Sequence, residues 1–273
     1  MEVHQDRVST PSHSLTFLGT GASCGVPSFY CGCAACEEAR AHPRAARDCS
    51  SLLVTGSQQT LIDTAPELRT QLVRERVVSI DQVLLTHEHY DHIGGLPQLE
   101  FFVRLSARAP LPLYAGAQTL AAIECQFGFM ADTLAPRLLE AFEPVILDSV
   151  TYTPLPAAHS EGAFGFLIKT AHTTLAYFPD TGPLPAPTRD YLGSLDVLII
   201  DATFNGSNWM PASHHTTDEA LMLAGELKCA RTYLTHLAMH YDEPITLAEL
   251  EKRLEPYGDA VAVAYDGLTL TLV

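Results

Sequence analysis

The stretch Thr86-His87-Glu88-His89-Tyr90-Asp91-His92 directly follows a short apolar run, Asp81–Leu85, whose pattern is typical of a strand. It holds three histidines and one aspartate within six residues, so a turn at the end of the strand brings their donor atoms into one loop. Imidazole and carboxylate groups are ligands that suit Zn²⁺, Mn²⁺ or Fe²⁺. We expect His87 and His89 to reach one ion, and Asp91 and His92 to reach a second ion beside it. A histidine-rich exposed loop that binds metal only adventitiously is the alternative.

Further polar residues end three other apolar runs. His159 follows Val150–Ala158, Asp180 follows a run that ends at Phe178, and His236 follows Thr235. Each one alone is typical of an ordinary strand end. Together they supply a third histidine for each ion and a carboxylate to bridge the pair. Two ions ~3.5–4 Å apart can activate a water and bind a phosphoryl or carbonyl oxygen.

Length and composition indicate one folded domain. Of 273 residues, 47% are hydrophobic and 18% are charged, which excludes a disordered or coiled-coil chain. The formal net charge of −16 disfavours binding to nucleic acid and to anionic membranes. No apolar run approaches the ~20 residues of a transmembrane helix, and the first thirteen residues lack the apolar core of a signal peptide. We therefore expect a cytoplasmic protein with no membrane partner.

Short apolar runs of the β type alternate with helical stretches along the chain. Some runs are joined as hairpins and others are separated by helices, which favours a layered α/β sandwich over a regular doubly wound sheet. Thr246 and Glu249 form a predicted capping box at the start of a helix over Leu247–Leu254. Residues 118–144, rich in Phe and Leu, are predicted to be a helical insertion that forms a lid or a dimer face.

The ligand pattern resembles that of the metallo-β-lactamase superfamily, in which the same residue types follow in the same order. The resemblance covers nearly the whole chain and implies a single domain over 1–273, an αβ/βα sandwich of two packed mixed sheets with helices on the outer faces. It implies a first metal bound by His87, His89 and His159, a second bound by Asp91, His92 and His236, and Asp180 as the bridge. It also implies that Asp63, after an early hairpin strand, orients a ligand histidine from behind.

A cluster of three cysteines, Cys31, Cys33 and Cys36, lies within six residues of the chain. In a reducing compartment this spacing favours a metal over a disulfide. It is similar to the structural zinc element of the PhnP-like phosphoribosyl cyclic phosphate phosphodiesterases, and also to that of PqqB-like proteins. The resemblance implies His240 as the fourth ligand, one position beyond the family spacing. Free thiols in a turn are the alternative.

The stretch Ser213–Ala220 opens a predicted helix and contains two adjacent histidines. It resembles the His-x-Thr/Ser-x-x-Glu-Ala element of the tRNase Z and PhnP-like branches, where a histidine at the mouth of the site contacts the scissile phosphate. The spacing favours His214, and His215 is the alternative. A polar helix N-cap without a catalytic role is the other interpretation.

The resemblance as a whole predicts a dinuclear phosphodiesterase that acts on a small cyclic phosphate, such as a phosphoribosyl 1,2-cyclic phosphate. Its cofactors would be two divalent ions, Mn²⁺ or Zn²⁺, and one structural Zn²⁺. Asp180 would hold the attacking water and His214 would protonate the leaving oxygen. A tRNase Z-like nuclease, a PqqB-like protein of cofactor biosynthesis, and a metal-binding scaffold that docks a partner are the alternatives. The expected partner is a small phosphodiester, with a homodimer as a further expectation and nucleic acid disfavoured.

Overall fold

The computed structural model describes residues 13–106 and 109–273, and within them the chain forms two seven-stranded sheets. The first sheet is built from β1 (His13–Gly19), β2 (Ser51–Thr55), β3 (Gln59–Ile62), β4 (Gln82–Leu84), β5 (Leu111–Ala115), β6 (Leu134–Leu138) and, from the end of the chain, β14 (Thr269–Leu272). Its spatial order is β14-β1-β2-β3-β4-β5-β6. The strands from β14 to β3 pair antiparallel, and those from β3 to β6 pair parallel.

The second sheet repeats this division into an antiparallel and a parallel half. It is built from β7 (Val145–Leu147), β8 (Val150–Pro156), β9 (Phe164–Lys169), β10 (Thr174–Phe178), β11 (Val197–Asp201), β12 (Arg231–Thr235) and β13 (Val261–Val263). Its order is β13-β12-β11-β10-β9-β8-β7. Strands β10 to β13 run parallel, whereas β7 to β10 form an antiparallel meander.

The two sheets pack face to face around an apolar core. Leu15 and Phe17 of β1 meet Tyr177 of β10 and Tyr233 of β12 in this layer. Alternate residues of a strand point to opposite faces, so the same strands also supply apolar side chains to the outer faces. Both faces of each sheet are therefore buried, which requires helices on the outside.

Eight α-helices cover those outer faces in the described part of the chain: α1 (Ala34–Ala41), α2 (Leu68–Arg74), α3 (Tyr90–Ile93), α4 (Gln98–Leu105), α5 (Ala117–Phe127), α6 (Ala186–Leu192), α7 (Thr217–Leu227) and α8 (Leu247–Leu254). Helices α2 to α5 pack on the first sheet. Helices α1 and α6 to α8 pack on the second. The αβ/βα sandwich that the resemblance implies is confirmed.

The insertion predicted over 118–144 is helical only in part. Helix α5 ends at Phe127, a single 3₁₀ turn follows over Gly128–Met130, and Leu134–Leu138 forms β6, the edge strand paired with β5. The prediction of a helix throughout is wrong because Leu134 is buried by pairing with β5 and by the core under α5, a tertiary contact that local periodicity does not report. Its role as a lid or a dimer face stays a prediction.

Within residues 13–106 and 109–273, no helix combines the length and the apolar composition needed to cross a lipid bilayer.

Helix α8 begins with the capping box that the sequence predicts. The Thr246 hydroxyl accepts a hydrogen bond from Glu249 N–H, and the Glu249 carboxylate accepts one from Thr246 N–H at 3.0 Å. Three leucines of α8, Leu247, Leu250 and Leu254, then pack on the second sheet.

Replacement of this cap should destabilise the protein. We expect Thr246→Ala to lower the free energy of unfolding by about 0.5–2 kcal/mol, because the Glu249 N–H loses its acceptor and the Glu249 carboxylate loses the hydroxyl that donates to it. Chemical denaturation followed by circular dichroism measures the loss. Thr246→Ser, which keeps the hydroxyl, is the matched control; an equal loss in both variants would assign the effect to the threonine methyl group instead.

Candidate metal centre

The strand directions bring the predicted ligands to one edge of the sandwich. In the first sheet, β3 and β4 are parallel, so Asp63 and the loop that starts at Thr86 leave the sheet on the same side. In the second sheet, β8, β10, β11 and β12 share one direction, and His159, Asp180 and His236 follow three of these strands. The carboxyl ends of both sets face each other across the sandwich.

The first group of ligand atoms contains His87, His89, His159 and Asp180, all within 4.8 Å of one another. His159 Nε2 lies 2.9 Å from His89 Nδ1. Asp180 Oδ2 lies 3.4 Å from His87 Nε2 and 3.7 Å from His159 Nε2. Three imidazoles and one carboxylate oxygen at these distances could hold a divalent ion between them.

The second group contains Asp91, His92, His236 and again Asp180, within the same 4.8 Å limit. Asp180 Oδ2 lies 2.9 Å from His92 Nε2 and 3.2 Å from His236 Nε2. Asp91 Oδ2 lies 3.5 Å from each of these two nitrogens. Asp180 therefore belongs to both groups, which is the position that a bridging carboxylate occupies.

Unpartnered donor atoms show that the residues fit a cation. Nε2 of His87, of His92 and of His236 is buried and makes no hydrogen bond to any described residue, although each faces a carboxylate oxygen. A buried imidazole nitrogen without a partner is costly. All three atoms lie within 3.4 Å of Asp180 Oδ2, where a cation would satisfy them.

Side chains behind the ligands hold the rings in place. Asp63 is fully buried and accepts hydrogen bonds from Thr86 N–H at 2.8 Å and from His92 Nδ1 at 2.9 Å. The Thr86 hydroxyl also lies 2.9 Å from His87 Nδ1. In both rings Nδ1 makes this contact, so Nε2 remains available as the ligand atom. Orientation of a ligand histidine from behind is the role predicted for Asp63. The backbone of Asp63 adopts a φ of 64°, which aspartate tolerates better than most residues.

The electrostatics of the cluster depend on its carboxylates. Burial disfavours charge on Asp180, but the neighbouring His236, His214 and His92 hold its pKa well below the usual range. Despite burial, Asp180 and Asp91 raise the pKa of His236 to about 9. A ligating imidazole nitrogen must be deprotonated, so cation binding at His236 would release a proton.

His214 lies opposite the ligand groups and is held by a residue that our sequence reasoning missed. Asp201, fully buried at the end of β11, accepts a hydrogen bond from His214 Nδ1 at 2.8 Å. Asp201 also accepts bonds from the N–H groups of Thr181 and Thr203. Although burial opposes it, the two carboxylates of Asp180 and Asp201 raise the pKa of His214 to about 10. The sequence signal for Asp201 is its place at the end of an apolar run, because Asp180 likewise follows the apolar run of the neighbouring strand, β10.

The structure distinguishes the two adjacent histidines. His214 lines the cavity over the ligand groups, whereas His215 is buried behind it and does not line that cavity. Thr216 and Glu219 form a complete capping box at the start of α7. In this element the threonine and glutamate therefore cap the helix that begins directly after the two histidines.

The cavity over the centre has a volume of about 370 Å³. His89, His159, Asp180, His214 and His236 form its floor and one wall, and aromatic side chains surround its mouth. Among the described residues, neither lysine nor arginine lines it. An anionic ligand would thus find positive charge only on histidines and on bound cations.

The cysteine cluster lies apart from this cavity. The thiols of Cys31 and Cys36 and a nitrogen of His240 lie within 4.8 Å of one another. Cys33 lies outside this group, but it is near enough to both thiols to shift their pKa, lowering that of Cys31 and helping burial to raise that of Cys36. His240 Nε2 is buried without a hydrogen-bond partner in the described part of the chain. Two thiols and an unpartnered imidazole nitrogen, with a third thiol beside them, are a donor set that fits tetrahedral Zn²⁺.

Comparison with known proteins places these features in context. A family model described as the beta-lactamase superfamily domain matches residues 58–237. The octanoyltransferase of Porphyromonas gingivalis is 29% identical over 262 residues; the match covers 92% of this chain, which spans only 50% of that protein. Coenzyme PQQ synthesis protein B of Methylobacterium sp. (strain 4-46) is 28% identical over 307 residues, covering 93% of this chain and 98% of the relative.

Solved structures share the fold. A diphosphatase from the PhnP family superposes with a TM-score of 0.82 at 30% identity, covering 94% of this chain and 97% of that one. The short form of human tRNase Z superposes with a TM-score of 0.67 at 18% identity, covering 95% and 99%, and at that identity the likeness shows the fold alone.

Removal of the carboxylate behind His92 should weaken cation binding. We expect Asp63→Ala to lower metal affinity ~10–100-fold, because His92 loses the bond that fixes its ring and its proton. Competition with a chromophoric chelator measures the affinity. Asp132→Asn, which alters an exposed carboxylate paired with Arg104, is the control; unchanged affinity in Asp63→Ala would contradict the orienting role.

Disruption of the cysteine cluster should affect stability more than catalysis. We expect Cys36→Ser and His240→Ala each to release one zinc equivalent and to lower the melting temperature, because structural zinc binding is coupled to folding. Elemental analysis and calorimetry measure both effects. Cys125→Ser, at an exposed cysteine far along the chain, is the control. Wild-type zinc content in His240→Ala together with loss in Cys36→Ser would assign the fourth ligand to another residue.

Proposed function

The chain belongs to the beta-lactamase superfamily, and on that premise we propose that it is a dinuclear metal-dependent phosphodiesterase acting on a small cyclic phosphate. The family match, the related structures and the ligand cluster together support a metallo-β-lactamase-fold hydrolase that binds divalent metal. One observation carries the finer proposal: Asp180 is shared by two ligand groups and faces a histidine that Asp201 holds in place.

We propose that His87, His89 and His159 hold one ion, that Asp91, His92 and His236 hold the other, and that Asp180 bridges them. Zn²⁺ and Mn²⁺ both suit this nitrogen and oxygen donor set. Such a pair of ions supplies Lewis-acid polarisation of a phosphoryl oxygen and acidification of a bound water.

The side chains of the cavity would perform the remaining steps. Asp180 accepts a hydrogen bond from the attacking water and so directs its lone pair toward phosphorus. His214, held through Nδ1 by Asp201, lines the cavity and would donate a proton from Nε2 to the departing oxygen. An alkoxide is a poor leaving group without that proton. The buried ligand cluster limits access of bulk water to one side.

The shape and charge of the cavity favour a small substrate. A volume of about 370 Å³ accommodates a sugar phosphate. Extended RNA requires a run of basic side chains along its backbone, and the described lining contains none. Phosphoribosyl 1,2-cyclic phosphate, and the simpler ribosyl 1,2-cyclic phosphate with the same cyclic ester, are sugar phosphates of this size.

A second candidate is hydrolysis of a diphosphate bond. It is favoured by the diphosphatase from the PhnP family, which is 30% identical to this chain over nearly its whole length. The PqqB-like alternative is favoured by 28% identity to coenzyme PQQ synthesis protein B. Hydrolysis of a phosphoric anhydride expels a phosphate group, which departs without protonation. The two phosphoryl reactions therefore differ in their need for His214.

A substrate panel with one metal-loaded preparation tests the proposal. We expect turnover of ribosyl 1,2-cyclic phosphate to exceed that of a dinucleoside diphosphate, of bis-p-nitrophenyl phosphate and of a tRNA precursor. Preference for the diphosphate would favour the second candidate, and cleavage of the precursor would favour the nuclease. Bound metal without turnover of any phosphoric ester would favour the PqqB-like or the scaffold alternative.

His214→Ala should separate alkyl from aryl substrates. We expect kcat on alkyl or ribosyl phosphodiesters to fall ~10²–10⁴-fold, because the leaving alkoxide loses its general acid. The loss should be much smaller on bis-p-nitrophenyl phosphate, since a nitrophenolate departs unassisted. Steady-state kinetics on both substrates at equal metal occupancy measures the difference.

His215→Ala is the matched control, because its side chain lies behind the cavity. An equal loss on alkyl and aryl esters in His214→Ala would mean that this histidine binds phosphate without protonating the leaving group. A larger loss in His215→Ala than in His214→Ala would contradict the assignment.

A further inference from the structure

The single tryptophan of the chain lies at the mouth of the cavity. Trp209 follows β11 in the segment that leads to His214, and it lines the same cavity as the ligand groups. Its side chain is 59% exposed. An indole ring left in water at the rim of a pocket is typical of a binding surface, because burial of that ring elsewhere would stabilise the fold.

Trp209 is part of an aromatic wall that continues to His214. Its ring meets the edge of Phe204 at 5.3 Å between centroids with an interplanar angle of 82°, and it is tilted by 40° against Tyr241 at 6.0 Å. Phe204 in turn contacts His214 at 6.0 Å. The wall therefore begins beside the proposed proton donor and extends to the cavity mouth.

Hydrogen bonds hold the segment of Trp209 in one conformation. The Asn208 side-chain amide donates to the carbonyl of His214 at 2.8 Å, and Asn208 Oδ1 accepts from Met210 N–H at 2.8 Å. Ser207 N–H donates to the Glu243 carboxylate at 3.1 Å. These bonds tie the residues on either side of Trp209 to each other and to the main chain of His214. The main chain between the ring and the proton donor is thus restrained before a ligand binds.

We infer that Trp209 and Tyr241 form a stacking subsite for a nucleobase carried on the leaving group of the substrate. This inference rests on the proposed function: it keeps a small cyclic phosphodiester as the substrate class but requires a nucleoside 2′,3′-cyclic phosphate, because C1 of a ribosyl 1,2-cyclic phosphate carries the ester oxygen and no base. The described cavity lining contains no lysine or arginine that could bind a second phosphate. It does contain two aromatic side chains, Trp209 and Tyr241, against which an uncharged planar ring of a ligand could stack. Aromatic faces stack with every base, so the subsite selects for the presence of a base and discriminates little among bases.

The location favours a nucleotide over a polynucleotide. A single exposed tryptophan with one tilted tyrosine accommodates one base. The chain has a formal net charge of −16, which opposes a long phosphate backbone.

Kinetics with two matched substrates test the subsite in the metal-loaded protein. Adenosine 2′,3′-cyclic phosphate carries a base, and methyl riboside 2,3-cyclic phosphate has the same cyclic ester without one. We expect Trp209→Ala to raise KM for the adenosine substrate about 5–100-fold, the effect of losing one stacked base, with kcat within about threefold. KM for the methyl riboside should not change. Trp209→Phe should restore most of the affinity, and Tyr257→Ala, an exposed aromatic residue away from the cavity, should resemble the wild type.

Fluorescence supplies a readout that does not depend on turnover. Because Trp209 is the only tryptophan in the sequence, its emission reports directly on the subsite. We expect AMP to quench this emission saturably, and ribose 5-phosphate to leave it unchanged.

Several outcomes would overturn the inference. An equal rise in KM for both substrates would show that Trp209 only supports the loop, and absence of saturable quenching by AMP would exclude base stacking. Quenching by a single-stranded oligonucleotide at far lower concentration than by AMP would assign the surface to a polynucleotide. If no phosphodiester is turned over, the proposed function fails, and the response to AMP still decides the subsite.

Discussion

A buried carboxylate surrounded by imidazoles is the constraint on which this structure depends. The oxygens of Asp180 lie within 3.7 Å of five histidine rings, which come from separate loops and strand ends of both sheets. Burial of that charge is costly unless opposite or polar groups surround it closely. The two sheets must therefore align their carboxyl edges with the accuracy of a hydrogen bond, and the apolar layer between them makes this alignment rigid.

Each sheet also supplies one fully buried aspartate behind the centre. Asp63 follows β3 and binds His92 through Nδ1, and Asp201 ends β11 and binds His214 through Nδ1. In both pairs the aspartate binds the Nδ1 side of the ring. In the proposed function the same arrangement would serve two purposes, one histidine binding a cation and the other acting on the substrate. Neither aspartate lines the cavity, so each contributes by orienting the histidine in front of it.

The floor of the cavity consists of candidate metal ligands, whereas aromatic side chains line its mouth. Histidines and aspartates of the floor form the candidate metal centre, and because one fold can host many reactions, membership of the beta-lactamase superfamily does not define the substrate. Part of the mouth is formed by the segment between β11 and α7, where Phe204 and Trp209 lie outside the helices and strands. Loops held on a rigid scaffold are where specificity is usually built. The hydrogen bond from Asn208 to the carbonyl of His214 joins these two parts.

The sequence by itself indicated the fold class and the residues that the structure gathers into the two ligand groups, because ligand spacing and strand ends are local properties of the chain. The loop from His87 to His92 after an apolar run, and the capping boxes of α7 and α8, depend only on neighbouring residues. Tertiary structure distinguished His214, which the spacing favoured, from His215, and it alone decided that Asp201 binds His214 and that Leu134–Leu138 is a strand and not a helix. These features depend on contacts between residues far apart in sequence; an apolar run can mark Asp201 as a strand end, but it does not record which residue that carboxylate contacts.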